Sequence, residues 1–309
     1  IASRDPDRAQ AAAKQHGAAR AHAGYEALLV DPEVDAVVNA LHNGLHCEWT
    51  IRALEAGKHV LCEKPLACST GEVEQMFAAA HSCRRWLMEG FMYRFHPQIA
   101  EAKRLVDAGT IGKVQRVYSI YASKGREAGN SRYRRAAGGG ALMDIGCYCV
   151  NLSRLFAGEP LDVKVEATFD LQSGVNLAFG GTLLNGVEAR FFCSMQEEKL
   201  QIGAQITGTE GTLDIPHPWL PPASPAELIL TRAGKREIIT VESPPMPAGP
   251  FALEIEHFCA CIRENSPPQF PPGGDAEQDS RANMRVIEML LDSARRSPKM
   301  RGQGGRLFQ

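Results

Sequence analysis

The sequence predicts an α/β protein: a truncated doubly wound parallel sheet, then an α+β domain on an open, mixed, largely antiparallel sheet. Three observations lead there. Up to about Phe91, short apolar runs alternate with helical patterns, the mark of βαβ units. Beyond it come longer alternating segments separated by turn dipeptides such as Ser173-Gly174 and Asn185-Gly186. A chain of 309 residues, 44% hydrophobic and 23% charged, has room for two domains sharing an interface. The expected division is 1–93 and 94–309, with the last helix able to pack back on the first domain.

In chain order, Ile1-Ala2-Ser3-Arg4 reads as the tail of a buried strand, so the sequence reads as a fragment. Asp5-Pro6 is a helix cap followed by proline at the first helical position, and Gly17 closes that helix after His16. Asp35 to Leu41 is a strand buried on both faces, and His46 to Ala56 a helix closed by Gly57. Lys58 to Cys62 is the next strand. Ser69 and Glu72 stand at capping-box spacing before a helix to Ala80. Trp86 to Glu89 is a short strand, Pro97 to Asp107 a helix, Val114 to Tyr121 a long strand. Arg126 to Gly140 is a polar, basic, glycine-rich loop or lid, and Gly140 to Phe156 a helix. From Asp162 to Val241 about six β segments follow. A proline-rich stretch, Pro244 to Pro250, introduces a helix from Phe251 to Arg263, and Ala276 to Arg296 forms the last one.

Composition excludes several classes. Net charge is −2 with lysine and arginine scattered, which leaves no basic stripe for nucleic acid. The apolar runs fall far short of a bilayer span. The nine cysteines are irregularly spaced, and neither Cys147-x-Cys149 nor Cys259-x-Cys261 has a second half at zinc spacing, so no metal site is expected. Reduced thiols in a cytoplasmic protein are the expectation.

Two segments carry chemistry. Gly57-Lys58-His59-Val60-Leu61-Cys62-Glu63-Lys64-Pro65 puts an acid and a base side by side at the C-terminal end of a parallel strand, where open α/β sheets hold their ligands. Alone, Glu-Lys-Pro is more often a solvated strand end. Gly138-Gly139-Gly140-Ala141-Leu142-Met143-Asp144-Ile145-Gly146-Cys147-Tyr148 follows three glycines with Asp144 and Tyr148, four apart and hence on one helix face. Alone, that is an ordinary helix start with a core tyrosine.

Together the two segments resemble the glucose–fructose oxidoreductase / inositol dehydrogenase / rhizopine-catabolism (Gfo/Idh/MocA) family, in its tyrosine branch. Leu41-His42-Asn43-Gly44-Leu45-His46 is similar to the family's Pro-Asn-x-x-His strand end, with His42 in place of proline. Glu89 to Pro97 resembles its interdomain crossover, and Glu254-Ile255-Glu256-His257-Phe258 its closing helix. The resemblance runs from Ile1 to about Arg296, but the first Rossmann strand and its Gly-x-Gly-x-x-Gly loop are absent.

The resemblance implies hydride transfer between NADP or NAD and a secondary alcohol or hemiacetal carbon of a sugar or cyclic diol. Lys64, Asp144 and Tyr148 are the expected catalytic set. Tyr148 would act as base, eased by Lys64, since a unit charge at about 4 Å in an effective dielectric near 20 is worth about 4 kcal/mol. Asp144 would orient a substrate hydroxyl. Ser3, Arg4, Asn43, His46, Glu63, Lys64 and Arg94 are the expected cofactor contacts. Ser3-Arg4 stands where NAD-preferring domains carry an acid, and a guanidinium suits a 2′-phosphate, which favours NADP. A homodimer or homotetramer through the C-terminal sheet is expected, with Phe191-Phe192 and Leu177/Phe179 on the open face. The alternative is a non-catalytic sugar- or nucleotide-sensing protein of the same fold, or an inactive fragment that cannot hold cofactor.

Overall fold

The structure, a computed structural model, describes residues 1–296 apart from 128, 171, 223, 224 and 244–248. Strand β1 (Ala2–Ser3) leads into helix α1 (Pro6–His16) and returns as β2 (His22–Ala23), parallel to β1. The Asp5 carboxylate accepts from the amides of Asp7 and Arg8, and Gly17 ends α1 at a φ of 66°. A short helix α2 (Tyr25–Leu29) follows. Then β3 (Ala36–Asn39), α3 (His46–Glu55), β4 (His59–Glu63), α4 (Thr70–Cys83) and β5 (Leu87–Gly90) alternate, building a parallel sheet in the order β3-β4-β5. Ser69 caps α4 through the Glu72 amide, while the Glu72 carboxylate reaches back to the amide of Cys68 at 2.8 Å.

The parallel sheet is in two pieces. Its two pieces, β1–β2 and β3–β4–β5, face each other across a cavity of about 1020 Å³ between β1 and β3. In a doubly wound sheet of strand order 3-2-1-4-5-6, that gap is the position of the first strand.

After α5 (Pro97–Asp107), β6 (Val114–Ala122) enters the middle of an eight-stranded sheet. Its other members are β7 (Asp162–Phe169), β8 (Asn176–Leu184), β9 (Glu188–Ser194), β10 (Gln201–Gly208), β11 (Gly211–Ile215), β12 (Ala226–Arg232) and β13 (Lys235–Val241). The order is β13-β12-β11-β10-β6-β9-β8-β7, parallel only between β6 and β9. β7 to β13 make one strand more than the sequence indicated, because Thr209-Glu210 turns the chain tightly between β10 and β11 without a turn signature.

The helix expected from Gly140 begins instead as a π-helical turn, Leu142–Gly146, and continues as α6 (Cys147–Ala157). Helix α7 (Gly249–Glu264) packs on the crossover turn Met92–Phe95. Its expected proline-rich lead-in falls largely on 244–248, outside the described residues. Helix α8 (Ala276–Arg296) lies with α6 on the inner face of the large sheet and also against α4. There Glu288 accepts from the amide and hydroxyl of Thr70 at 2.9 and 2.6 Å, and Arg281 pairs with Glu74.

Neighbouring residues of a strand point to opposite faces. Phe191 and Phe179 are therefore stacked inside the core, whereas Phe192 shares the open face with Tyr118 and Ile120. The expectation that Phe191 and Phe179 lie on the open face is overturned by that alternation.

Candidate active site

The buried run Val60-Leu61-Cys62 fixes β4 as the central strand of its sheet, so its C-terminal end delivers Glu63 and Lys64 to the crevice edge. Lys64 precedes a cis peptide bond to Pro65. Its ammonium donates to the backbone oxygen of Asp144 at 2.5 Å and lies 3.9 Å from the Asp144 carboxylate. It also sits over the Tyr148 ring, 4.7 Å from the centroid, a cation–π contact.

Asp144 is held from three sides. Its amide donates to Gly140 O at 2.9 Å, the turn is anchored by the Leu142 amide on Asn176 Oδ1 at 2.7 Å, and Arg132 Nε reaches its carboxylate at 2.8 Å. Gly140 has a φ of 126°, and a Cβ there would lie 2.9 Å from the Asn176 amide nitrogen.

Tyr148 is walled by Phe91, Tyr93, Tyr121 and Trp219, and its hydroxyl donates to Met92 Sδ at 3.5 Å. Burial pushes its pKa well up, and Cys147, Glu63, Tyr121 and Glu254 add to this. The ammonium meets the ring rather than the hydroxyl, and its pull on the phenol's proton is outweighed by burial in the resting cleft. Glu63 is likewise pushed up by burial, against the pull of Lys64, and its carboxylate accepts from the Lys64 amide at 3.2 Å.

These groups line a cleft of about 500 Å³ that also receives Asn43, Met92, Tyr121, Arg132, Leu220 and Phe251. Ala40 and Leu41 wall both this cleft and the 1020 Å³ cavity, so one crevice runs from Ser3 and Arg4 at the end of β1 to Lys64. Ser3 Oγ accepts from the Asp5 amide at 3.2 Å, and Arg4 is exposed.

Three expected cofactor contacts are spent on the protein itself. Asn43 faces the cleft but donates to Gly138 O at 2.9 Å. His46 is fully buried, its ring nitrogens 2.9 and 2.8 Å from the carbonyl oxygens of Pro65 and Leu41. Arg94 is 3% exposed and turned away, donating to Pro271 O at 3.0 Å and pairing with Asp279 at 3.6 Å. It shares the Tyr93-Asn151-Asp279 chain with Arg154, whose guanidinium lies 3.2 Å from the Asp279 carboxylate.

Sequence reasoning missed Met92 as the partner of the phenol, Tyr121 as a wall and Asn176 as the anchor of the turn. Met92 and Tyr121 stood inside segments already singled out, but Asn176 lies on a distant strand and left no signal. Among the described residues no group of three or more His, Cys, Asp or Glu could hold a metal ion, and no helix is long and apolar enough to cross a membrane. None of the nine cysteines is in a disulfide.

A parallel sheet with a ligand crevice at its strand ends, facing a second sheet domain that closes the crevice, is the plan of a dinucleotide-dependent oxidoreductase. Residues 1–91 match the model for the "Oxidoreductase family, NAD-binding Rossmann fold", and residues 99–214 the "GFO/IDH/MocA C-terminal domain". The chain belongs to the Gfo/Idh/MocA oxidoreductase family.

Among similar proteins, a D-xylose 1-dehydrogenase (NADP(+)) of Haloferax volcanii is 35% identical over 95% of this chain and 88% of its own. A dTDP-3,4-didehydro-2,6-dideoxy-alpha-D-glucose 3-reductase of Streptomyces violaceoruber is 34% identical over 96% of this chain and 86% of its own. A solved 3-ketoreductase from Actinomadura kijaniata, in complex with NADP and TDP-benzene, superposes with a TM-score of 0.86 at 29% identity, covering 95% and 88% of the two chains.

Proposed function

We propose that the protein transfers a hydride between NADP and a secondary alcohol or hemiacetal carbon of a sugar or cyclic diol. The observation that carries this reading is the convergence of Lys64 from one domain with Asp144 and Tyr148 from the other on a single cleft. The NADP-linked D-xylose dehydrogenase and the NADP-bound ketoreductase support the choice of cofactor.

The residues present fit such a cofactor. Exposed Arg4 stands at one end of the crevice, where a guanidinium matches a 2′-phosphate, and Glu63 with Lys64 stands at the other. When bound, the nicotinamide gives or takes the hydride.

Tyr148, held protonated by burial, is suited to give its proton to the carbonyl oxygen as that carbon is reduced, and to take it back in oxidation. Lys64 stabilises the phenolate left behind from above the ring. Asp144, fixed by Arg132, accepts a hydrogen bond from a neighbouring hydroxyl. Tyr121, Met92 and Phe251 present apolar surface to a carbohydrate ring and keep water out.

We further propose that two copies meet through the open sheet face around Tyr118 (44% exposed), Ile120 and Phe192, that the domains divide near residue 93, and that the thiols serve a cytoplasmic protein. Light scattering of wild type and Tyr118→Glu tests the pairing; an unchanged mass removes it. Turnover is tested by NADPH absorbance over a panel of pentoses, hexoses and cyclic diols. Sugar binding without NADPH formation on every substrate would replace the enzyme with a sensor.

A further inference from the structure

The segment Asn130–Gly140 is built as a unit. The Asn130 side chain accepts from the Arg132 amide at 3.1 Å, and two 3-10 turns follow, Ser131–Tyr133 and Arg135–Ala137. The amides of Gly138, Gly139 and Gly140 turn back onto the carbonyls of Arg135, Arg134 and Arg132 at 3.0, 3.1 and 2.9 Å. The Tyr133 hydroxyl reaches Met195 O at 3.4 Å. This unit forms one wall of the cleft and carries Arg132, whose Nε holds Asp144.

It also packs closely on the other domain. Asn43 Nδ2 donates to Gly138 O at 2.9 Å. A Cβ on Gly138 would stand 2.7 Å from Asn43 Cβ and 2.5 Å from Cys68 Sγ, and one on Gly44 would stand 2.6 Å from Ala136 O. Glycine at both positions lets the two segments approach this closely.

We infer that Asn130–Gly140 is a lid over the substrate end of the cleft, and that Asn43 is its latch, a positioning residue that acts through Gly138 on the Arg132–Asp144 pair. The inference rests on the proposed function only for what enters the cleft; the contact between the domains stands without it. The latch adds one neutral hydrogen bond to these close contacts on a half-exposed turn, a hold modest enough to open and close. With the lid down, the Asp144 carboxylate is held at the wall; with it up, Arg132 leaves and the mouth widens.

Limited trypsin digestion reads the lid without any turnover, since Arg134 and Arg135 are exposed on it and Arg84 is exposed elsewhere. Asn43→Asp keeps the size but sets a carboxylate against Gly138 O, and Gly44→Ala pushes a methyl into Ala136 O. In each, cleavage at Arg134 and Arg135 is expected to rise about five- to tenfold while Arg84 holds. With a turned-over sugar, KM rises about tenfold by the same arithmetic and the NADP dissociation constant, from fluorescence quenching, does not change. Equal cleavage in wild type and both variants overturns the latch. So does a parallel rise at Arg84, which is general loosening, or a weaker NADP affinity with unchanged cleavage, which makes Asn43 a direct cofactor contact. If wild type turns over no sugar or diol, the proposed function fails, and the digestion still decides the latch.

Discussion

The ammonium of Lys64 stands over the face of the Tyr148 ring while the phenol's own hydroxyl points to Met92. On the proposed function, that placement lets the ammonium stabilise negative charge spread through the ring after the proton has left. In the resting cleft burial holds the phenol's pKa well up.

Replacing Tyr148 by Phe removes that proton and little else, since the hydroxyl's partner is a thioether. Turnover should fall by about 10²- to 10⁴-fold with an unchanged circular dichroism spectrum. Retention of near wild-type rates would remove Tyr148 from the chemistry.

Lys64→Ala takes away the cation above the ring and the donor to Asp144 O. The rate of NADP reduction should drop about 10²-fold, and its pH optimum should move upward as the phenolate becomes harder to form. A pH–rate profile that overlays wild type would separate the amine from the phenol.

Arg94→Leu leaves Asp279 with Arg154 as its remaining guanidinium in a buried setting. Urea unfolding should show a loss of about 1–2 kcal/mol, because Pro271 O loses its donor, and NADP affinity should hold. Weakened NADP binding at full stability would return Arg94 to the cofactor site.

Glu254 is buried and its carboxyl pKa is raised to about 9, first by burial and then by Glu63 and Glu89. In the unfolded chain it ionises near 4.3. Its protonated form therefore favours the fold fully below that value, and the contribution is lost as pH climbs towards about 9. Glu254→Gln should melt higher than wild type at pH 9 and much like it at pH 5. Identical differences at the two pH values would contradict the shift.

Much of the fold is written in local signals. Asp5, Pro6 and Gly17 delimit α1, Pro97 opens α5, and the apolar run Val60-Leu61-Cys62 marks β4, whereas the expected burial of β3 on both faces fails at Val38, which is 58% exposed beside the cavity. Elements without local punctuation were not legible. β2 is two residues long, and the turn Leu142–Gly146 differs from an α-helix only in which carbonyl each amide finds. The same limit applies at the site. Lys64, Asp144 and Tyr148 stand out by type and place, whereas the partners of Asn43, His46 and Arg94 lie 95, 19 and 177 residues away. An amide, an imidazole and a guanidinium suit a ligand as well as they suit a neighbour, and only packing tells which one received them.

Helix α8, which follows the sheet domain in sequence, is fastened to α4 by Thr70–Glu288, Arg281–Glu74 and His81–Glu277. The half made first stays unfinished until synthesis has run through the sheet domain. Nascent chains stalled before residue 276 should expose the apolar flank of α4 to chaperones, and completion of the first domain waits for α8.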